Sequence, residues 1–135
     1  MQPKKTKYKK YYKPRQFSKL SNSLQTLNPV SCFTLIARES SYINGKQIEA
    51  ARQTIRRKLK KRGQLKILVF PDIGISTKST ASRMGKGKGK VNYWICKINA
   101  GKPIFQLLGV STTESLIALQ AGSNKLPIKL KICQQ

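Results

Sequence analysis

Unbalanced positive charge is the feature that most restricts how this chain can fold. Lys and Arg number 28 while Asp and Glu number 4, which gives a formal net charge of +24 on 135 residues. A compact state with this charge repels itself, and binding to a polyanion is the usual source of relief. Hydrophobic residues make up 39% of the chain, enough for one modest core. We therefore expect a folded domain that binds nucleic acid; the alternative is a basic surface exposed only to solvent.

Missing residue types exclude several other classes of protein. The chain has no histidine, and its four carboxylates are widely spaced, so we predict no catalytic residue, no metal site and no cofactor. No apolar run is long enough to cross a bilayer, and the N-terminus has no apolar signal-peptide core, so we expect no membrane insertion. We expect no homo-oligomer. Three cysteines lie among apolar residues without a CxxC pair, which is typical of small buried thiols: Cys32, Cys96 and Cys133.

The N-terminal segment is basic and aromatic at once. Residues 1–20 contain eight Lys or Arg, no acidic residue, and four interleaved Tyr or Phe, while Pro3 and Pro14 interrupt any regular period. This pattern is typical of an extended arm that orders on RNA, with lysines on phosphates and rings on bases or sugars. We assign residues 1–28 to the arm; a solubilising tail is the alternative. The lysines predicted to bind RNA are Lys4, Lys5, Lys7, Lys9 and Lys10.

Residues 29–135 contain the patterns of a single α+β domain. Strands are predicted from apolar or alternating runs at 30–37, 65–70, 91–99, 102–109 and 128–133. The run at 65–70 should be buried on both faces, and the turn at Ala100-Gly101 should join its neighbours as a β-hairpin. The expected architecture is a mixed or antiparallel sheet with two helices packed on it, plus the extended basic N-terminal arm and a Gly/Lys-rich loop.

Two helices are predicted between these strands. The first begins at Asn44, with Gln47 completing a capping box, and we place Gly63 at its C-terminal cap. Its apolar stripe is formed by Ile48, Ala51, Ile55 and Leu59. Thr112 or Thr113 is predicted as the N-cap of the second helix, and Pro127 closes it. We expect three apolar residues of the second helix to face the core: Leu116, Ile117 and Leu119.

The first helix has a basic surface. Seven Lys or Arg lie between positions 52 and 62 with no acidic residue among them. Cations in a last turn suit the helix dipole, but this effect does not account for seven. Solvated helices usually mix charges to gain ion pairs, so we favour phosphate contact over a solvated face. The predicted phosphate-binding residues are Arg52, Arg56, Arg57, Lys60 and Lys61.

A second basic segment, "SRMGKGKGK", alternates glycine with lysine at 82–90. Its glycine spacing fits neither a P-loop nor a dinucleotide fingerprint, because Gly85 and Gly89 are too close and no helix follows. Glycines let a backbone approach a bulky ligand while the lysines reach phosphates on either side. The alternative is a plain flexible loop. The residues predicted to bind RNA here, named the Gly/Lys loop below, are Arg83, Met84, Gly85, Lys86, Gly87, Lys88, Gly89 and Lys90.

Six short segments occur in the order and spacing of a known family: "QPKKTK" (2–7), "QIEAAR" (47–52), "VFPD" (69–72), "RMGKGKG" (83–89), "YW" (93–94) and "KLPI" (125–128). Through them the chain resembles the large-subunit ribosomal protein sixteen family of bacterial-type ribosomes. The resemblance implies a structural rRNA-binding protein below the central protuberance, among rRNA, tRNA and neighbouring ribosomal proteins, that joins late in assembly. It also implies that residues 83–88 face the tRNA sites and the peptidyl transferase centre, and that residues 2–7 are embedded in rRNA.

The chain departs from that family at 11–30, which match poorly. Because the match starts at Gln2, we expect no transit peptide before it. A Lys-, Ile- and Asn-rich composition without an import signal favours a mitochondrion-encoded copy in the mitochondrial matrix over a bacterial cytoplasmic or plastid protein. A free nucleic-acid-binding protein or RNA chaperone is the alternative function. It would more often show repeats or a basic tail on a recognition helix.

The charge generates the first testable prediction. The purified protein should bind structured RNA with an affinity that falls about a thousandfold or more between about 50 and 200 mM salt, because many cations displace counterions. Fluorescence anisotropy across a salt series measures the slope. A binding constant that barely changes over this range would contradict the prediction.

Overall fold

The computed structural model describes residues 1–8, 10–17, 32–85 and 87–134. Within these ranges the chain forms seven strands and two helices. In chain order they are β1 (Cys32–Ala37), β2 (Ser41–Asn44), α1 (Gly45–Lys58), β3 (Gln64–Ile67), β4 (Ile73–Thr77), β5 (Lys90–Ile98), β6 (Pro103–Leu108), α2 (Thr112–Ser123) and β7 (Leu130–Gln134). The predicted α+β class with two helices is confirmed. The division at residue 28 between arm and domain stays a prediction.

The strands divide between two antiparallel sheets. One has four strands in the order β3-β6-β1-β7, and the other has three in the order β2-β5-β4. The central strand β1 pairs on one side with β6, Leu35 opposite Phe105, and on the other with β7, Leu35 opposite Ile132. All six residues of β1 are buried, because neighbours flank it and the helices cover it. The predicted strand began two residues earlier, and positions 30 and 31 lie outside the described residues.

The predicted hairpin between 91–99 and 102–109 is wrong. Both strands exist, but β5 belongs to the three-stranded sheet and β6 to the four-stranded one. At Gly101, with φ 83, the chain turns, and the Gly101 N–H donates to the Ala37 carbonyl at 2.8 Å. The Ala37 N–H donates to the Lys102 carbonyl at 3.0 Å. These bonds place β6 beside β1 instead of beside β5, so this tight turn connects two sheets.

The actual hairpin joins β4 to β5, and sequence reasoning missed β4 altogether. Its sequence, Ile-Gly-Ile-Ser-Thr, contains a glycine where a strand usually carries a bulky residue. A Cβ at Gly74 would lie 3.3 Å from the Trp94 ring, so the glycine makes room for the indole. The short strand β2 was also missed. Strand β3 is an edge strand, so the predicted burial of 65–70 on both faces is wrong; Leu68 and Phe70 are exposed.

Helix α1 begins as its sequence predicts. The Asn44 side chain accepts a hydrogen bond from the Lys46 N–H at 3.2 Å, and Gln47 Oε1 accepts from the Asn44 N–H at 2.9 Å. The Asn44 side chain also accepts a hydrogen bond from the backbone N–H of Gln47, which completes the capping box. The apolar stripe is confirmed as well. All four of its members are buried in one core with residues from both sheets: Ile48, Ala51, Ile55 and Leu59.

The end of α1 differs from the prediction. The helix ends at Lys58 with Leu59 as its cap, so Gly63 is not the C-terminal cap. Lys60 and Lys61 take the left-handed conformation that glycine usually supplies, with φ of 48 and 70. Leu59 is anchored in the core, and the chain must reverse immediately to enter β3. Gly63, with φ 65, lies at the start of that strand instead.

Helix α2 presents a different face from the one predicted. The N-cap is Ser111, without a side-chain hydrogen bond, so the predicted cap at Thr112 or Thr113 is wrong. Leu116 and Ile117 are 43% and 61% exposed. Leu119 is buried as expected. Small residues dominate the buried face: Ser115, Ala118, Leu119 and Gly122. Helices α1 and α2 pack against each other, and small side chains permit a close approach. Close packing therefore selects small residues at this interface over larger apolar ones.

Strand β7 and the cysteines mostly follow expectation. In β7 the alternation is confirmed, since Leu130 and Ile132 pack against the core while Lys131 is exposed. The strand begins two residues later than the predicted 128. Cys32 and Cys96 are buried and Cys133 is half-buried. Burial raises the pKa of the Cys96 thiol.

The α1–α2 contact generates a stability prediction. A Cβ at Gly122 would lie 2.5 Å from Ile55 Cγ1, and Ile55 is fully buried with a stiff β-branched side chain. Gly122→Ala should therefore lower the free energy of unfolding by about 1–3 kcal/mol, the usual cost of overpacking. In an open helix the same change stabilises by up to about 1 kcal/mol. Urea denaturation measures the sign.

Ile55→Ala provides the control, because it removes both Cγ1 and Cδ1, the atoms nearest the new methyl group. The double variant should lose less stability than the sum of the losses measured for the two single variants. Equal or greater stability for Gly122→Ala alone would contradict close packing at this point.

Candidate nucleic-acid interface

The Gly/Lys loop, residues 83–90, is the exposed end of the β4–β5 hairpin. Thr77 at the end of β4 pairs with Lys90 at the start of β5, so residues 78–89 form the hairpin connection. Arg83 and Lys88 are exposed, and Met84 is 100% exposed. Lys86 lies outside the described residues. The described cations of the loop are therefore available to a partner and contribute nothing to the core.

The three glycines of the loop have two structural roles. Gly85 and Gly87 have φ of 91 and 80, and a Cβ on either would have no atom within 4 Å. They provide left-handed turns that side chains disfavour, and they leave the backbone open to close approach. Gly89 is different, because a Cβ there would lie 2.2 Å from the Thr77 carbonyl oxygen. Gly89 allows the two strands to close at the base of the loop.

The structure brings the arm onto this loop. The Lys10 ammonium donates to the Lys88 carbonyl, and the Lys88 ammonium donates to the Tyr11 carbonyl. Lys88 Nζ also lies 5.9 Å from the centroid of the Tyr12 ring. The two segments that sequence reasoning predicted separately therefore form one basic surface.

Residues 13–17 hold the arm against the three-stranded sheet. The Phe17 ring lies 5.0 Å from the Tyr42 ring, between centroids, and the Lys97 ammonium donates to the Gln16 carbonyl. Lys13 Nζ lies 4.6 Å from the Tyr42 centroid. Sequence reasoning missed Tyr42 and Lys97 as parts of this surface. They face each other in the β2–β5 register, which only the missed strand β2 would have revealed.

Two of the predicted phosphate-binding residues on α1 have internal partners. Arg52 donates to both Glu49 carboxylate oxygens, at 2.6 and 2.9 Å. This contact lowers the pKa of Glu49 and raises the pKa of Arg52, with the hydrogen bond as the largest cause of each shift. Arg56 Nη1 donates to the Gly63 carbonyl at 3.2 Å. Part of the predicted phosphate-binding set is therefore engaged in holding the helix and its end in place.

Four residues of that set, Arg56 among them, converge at the C-terminal end of α1. A depression of about 480 Å³ is lined by four cations: Arg56, Arg57, Lys60 and Lys61. Among the described residues, no carboxylate lies within ion-pair distance of any of the four. Lys60 and Lys61 are both left-handed, a conformation that costs a residue with a side chain about 1 kcal/mol or more. The depression therefore gathers mutually repelling cations, two of them on strained backbone, and a bound anion would neutralise their charge.

The predicted residues thus fall into two clusters. The arm and the Gly/Lys loop touch through Lys10, Tyr11 and Lys88, whereas the other cluster lies at the C-terminal end of α1. Lys4, Lys5 and Lys7 are exposed, and Lys9 lies outside the described residues. Within the described ranges, no three or more Cys, Asp or Glu are grouped to hold a metal ion. No helix there is long and apolar enough to cross a membrane.

Comparison with known proteins finds similarity over the whole chain. A family model described as "Ribosomal protein L16p/L10e" matches residues 3–133. Proteins from two strains of Rhizobium etli, each named "Large ribosomal subunit protein uL16", are 42% identical to this chain over 137 aligned positions. The alignments cover 100% of this chain and 97% of each relative. The similarity therefore includes the arm, both helices, all seven strands and the Gly/Lys loop.

The base of the loop generates a prediction. Gly89→Ala should lower the free energy of unfolding by about 1–3 kcal/mol, because the new methyl group would collide with the Thr77 carbonyl of a paired strand. Gly85→Ala is the matched control at the exposed tip. The new methyl group has no neighbouring atom there, and the exposed tip can change its backbone conformation to relieve the strain. The loss of stability should therefore be smaller. Thermal denaturation compares the two. Equal losses would contradict the special role of Gly89.

Proposed function

The chain belongs to the ribosomal protein L16p/L10e family, and on that premise we propose that it binds large-subunit rRNA and contacts tRNA through the Gly/Lys loop. Members of this family are structural constituents of the large ribosomal subunit, not enzymes, with rRNA and other ribosomal proteins as partners. One observation carries the proposal: arm and loop merge into one surface whose cations have no acidic partner among the described residues.

Phosphate binding on this surface follows from elementary electrostatics. Exposed lysines act as point charges for the RNA backbone, and Arg83 adds a planar fork that binds a phosphate through two hydrogen bonds. Gly85 and Gly87 leave the loop without side-chain bulk, so RNA can approach the backbone N–H groups. The loop therefore contributes positive charge and a backbone that RNA can approach without side-chain obstruction. Neither property gives sequence specificity, because phosphate contacts position a protein without reading bases.

The hairpin geometry supports the tRNA part of the proposal. The loop extends from the paired strands β4 and β5, so it can contact a ligand that lies beyond the end of the sheet. Its sequence "RMGKGKG" is the segment whose family resemblance implies a position near the tRNA sites and the peptidyl transferase centre. The exposed Met84 and Arg83 are the residues at this tip. We assign the tip to tRNA and the arm beside it to rRNA.

The cluster at the end of α1 is proposed as a second, separate rRNA contact. Four cations around one depression are suited to the dense phosphates where RNA strands approach each other. Two contacts at different places on a small protein would fix its orientation as well as its position. Joining at several RNA segments at once also fits incorporation late in assembly, when those segments are already near each other.

The compartment is proposed on composition alone. Both relatives reported above are bacterial. The Lys- and Ile-rich sequence supports the mitochondrial matrix over a bacterial cytoplasm or a plastid. Fractionation of the source cells, followed by detection of the protein in ribosomes of each compartment, tests this part independently of the rest.

Cosedimentation tests the proposal against a free RNA chaperone. The protein should remain with large subunits through a gradient at high salt, because an incorporated protein is held at several places at once. A free RNA-binding protein should dissociate, since its binding depends on counterion release. Recovery of the protein only at the top of the gradient would overturn the proposal.

The loop generates a prediction about translation. The triple variant with Arg83→Ala, Lys86→Ala and Lys88→Ala should still be incorporated into large subunits, because the loop adds nothing to the core. These subunits should bind tRNA about tenfold more weakly or worse, since a charged contact is among the stronger hydrogen bonds, and peptide transfer should slow. Gly87→Val should act similarly through bulk and restricted backbone angles, with every charge kept.

The matched control removes the same charge elsewhere, through Lys66→Ala, Lys125→Ala and Lys131→Ala. Filter binding of tRNA and single-turnover peptide transfer, at equal occupancy of the protein in subunits, compare the variants. Normal tRNA binding and transfer in the loop variants at full occupancy would contradict a tRNA-contacting loop. Equal defects in the control would show a general charge effect.

A further inference from the structure

A cavity of about 390 Å³ lies where the arm crosses between the Gly/Lys loop and the three-stranded sheet. Its lining consists of two aromatic residues and three cations: Tyr12, Tyr42, Lys13, Arg15 and Lys88. No acidic residue lines it. The volume is in the range of cavities that hold one small ligand. The proposed function uses Lys88 as a phosphate contact but assigns nothing to this cavity or to its rings.

Tyr12 is held in place although it is largely unburied. The residue is 84% exposed, yet the carbonyl of the preceding Tyr11 accepts a hydrogen bond from the Lys88 ammonium. The Lys88 ammonium also lies 5.9 Å from the Tyr12 centroid. The loop therefore fixes the backbone beside Tyr12 while one large apolar surface remains open. A ring that is positioned but uncovered is a platform on which another flat group can stack.

Tyr42 and its neighbours form the opposite part of the cavity. The Tyr42 ring is half-buried on β2 and tilted 50° against Phe17, so sheet and arm fix its orientation. Lys13 Nζ lies 4.6 Å from its centroid. Together with Arg15 and Lys88, this ammonium gives the cavity a triply positive lining around apolar rings. The ligand must therefore combine a flat aromatic group with negative charge.

Among the parts of RNA, an unpaired nucleotide fits this description. Bases within a duplex are stacked on their neighbours and cannot expose a face to a side chain. Unpaired bases can be extruded and stacked on tyrosine or arginine, with the adjoining phosphate on basic residues. An acidic peptide would supply charge without a flat ring.

We propose that this cavity binds one unpaired RNA nucleotide, with its base stacked on Tyr12 and its phosphate held by Lys13, Arg15 and Lys88. The inference rests on the proposed RNA binding and goes further, because it names the state of the RNA that the arm recognises. It predicts that the arm is selective for unpaired over paired RNA, a selectivity that charge alone does not give.

Fluorescence anisotropy with two RNA probes tests the proposal on the full chain. One probe is a short oligouridine, which is unpaired, and the other is a blunt RNA duplex with the same number of phosphates. Tyr12→Ala should weaken oligouridine binding about fivefold or more, the loss of one stacked base, and leave duplex binding unchanged. Tyr12→Phe keeps a ring and should restore the affinity. Phe70→Ala is the matched control, since Phe70 is an exposed aromatic residue outside both the arm and the Gly/Lys loop and does not line the cavity.

The outcomes separate this inference from the function on which it rests. If the unsubstituted protein binds neither probe, the proposed RNA binding itself fails. If it binds both and Tyr12→Ala weakens both equally, or Phe70→Ala has the same effect as Tyr12→Ala, the cavity is not a nucleotide site. Selective loss with Tyr12→Ala, rescued by Tyr12→Phe, supports it.

Chemical probing of unpaired bases in large subunits identifies the source of the nucleotide. Subunits carrying Tyr12→Ala and unsubstituted subunits are compared with and without tRNA. A base whose protection depends on Tyr12 without tRNA belongs to rRNA, and one whose protection requires tRNA belongs to tRNA. If no base in either RNA changes its reactivity between the two proteins, the proposal is overturned.

Discussion

Repulsion among cations that lack acidic partners is the constraint on which the rest of this structure depends. With a net charge of +24 and only three ion pairs among the described residues, charge cannot hold the fold together. Cohesion comes from an uncharged core instead. Strand β1 is buried throughout, and α1 and α2 approach closely because Gly122 leaves room for Ile55. The cations are displaced to places where the backbone leaves the core: the arm, the hairpin tip and the end of α1.

Separation of core from charge also explains the local backbone. The positive φ angles of Gly85 and Gly87 occur where the chain must turn without packing support. Those of Lys60 and Lys61 occur where cations follow a helix end that the buried Leu59 fixes. At both places a basic segment has an unusual conformation beside a rigid element. The basic clusters are thus built on the sheet and the helix, while their cations remain exposed.

The sequence predicted correctly those features that depend on residues close to each other in the chain. The capping box at Asn44 and Gln47, the stripe on α1, and the alternation in β7 all appear in the structure because each depends on residues close in sequence. The predictions were wrong where a segment distant in sequence determines the strand pairing or the buried face. The turn at Gly101 joins two sheets because β1 captures β6, and α2 turns small residues inward because α1 lies against it. The contact between arm and loop spans 78 positions, so no local pattern could have predicted it.

The composition of α2 has a consequence for how the molecule meets its partner. No Lys or Arg occurs between Lys102 and Lys125, so this helix exposes Leu116 and Ile117 without a basic residue of its own. The centre of charge therefore does not coincide with the centre of mass. In the field of a polyanion such a body experiences a torque, which turns its neutral side outward before contact. Diffusional encounters are then oriented in advance, and a larger fraction of collisions begins with the basic surface facing the RNA.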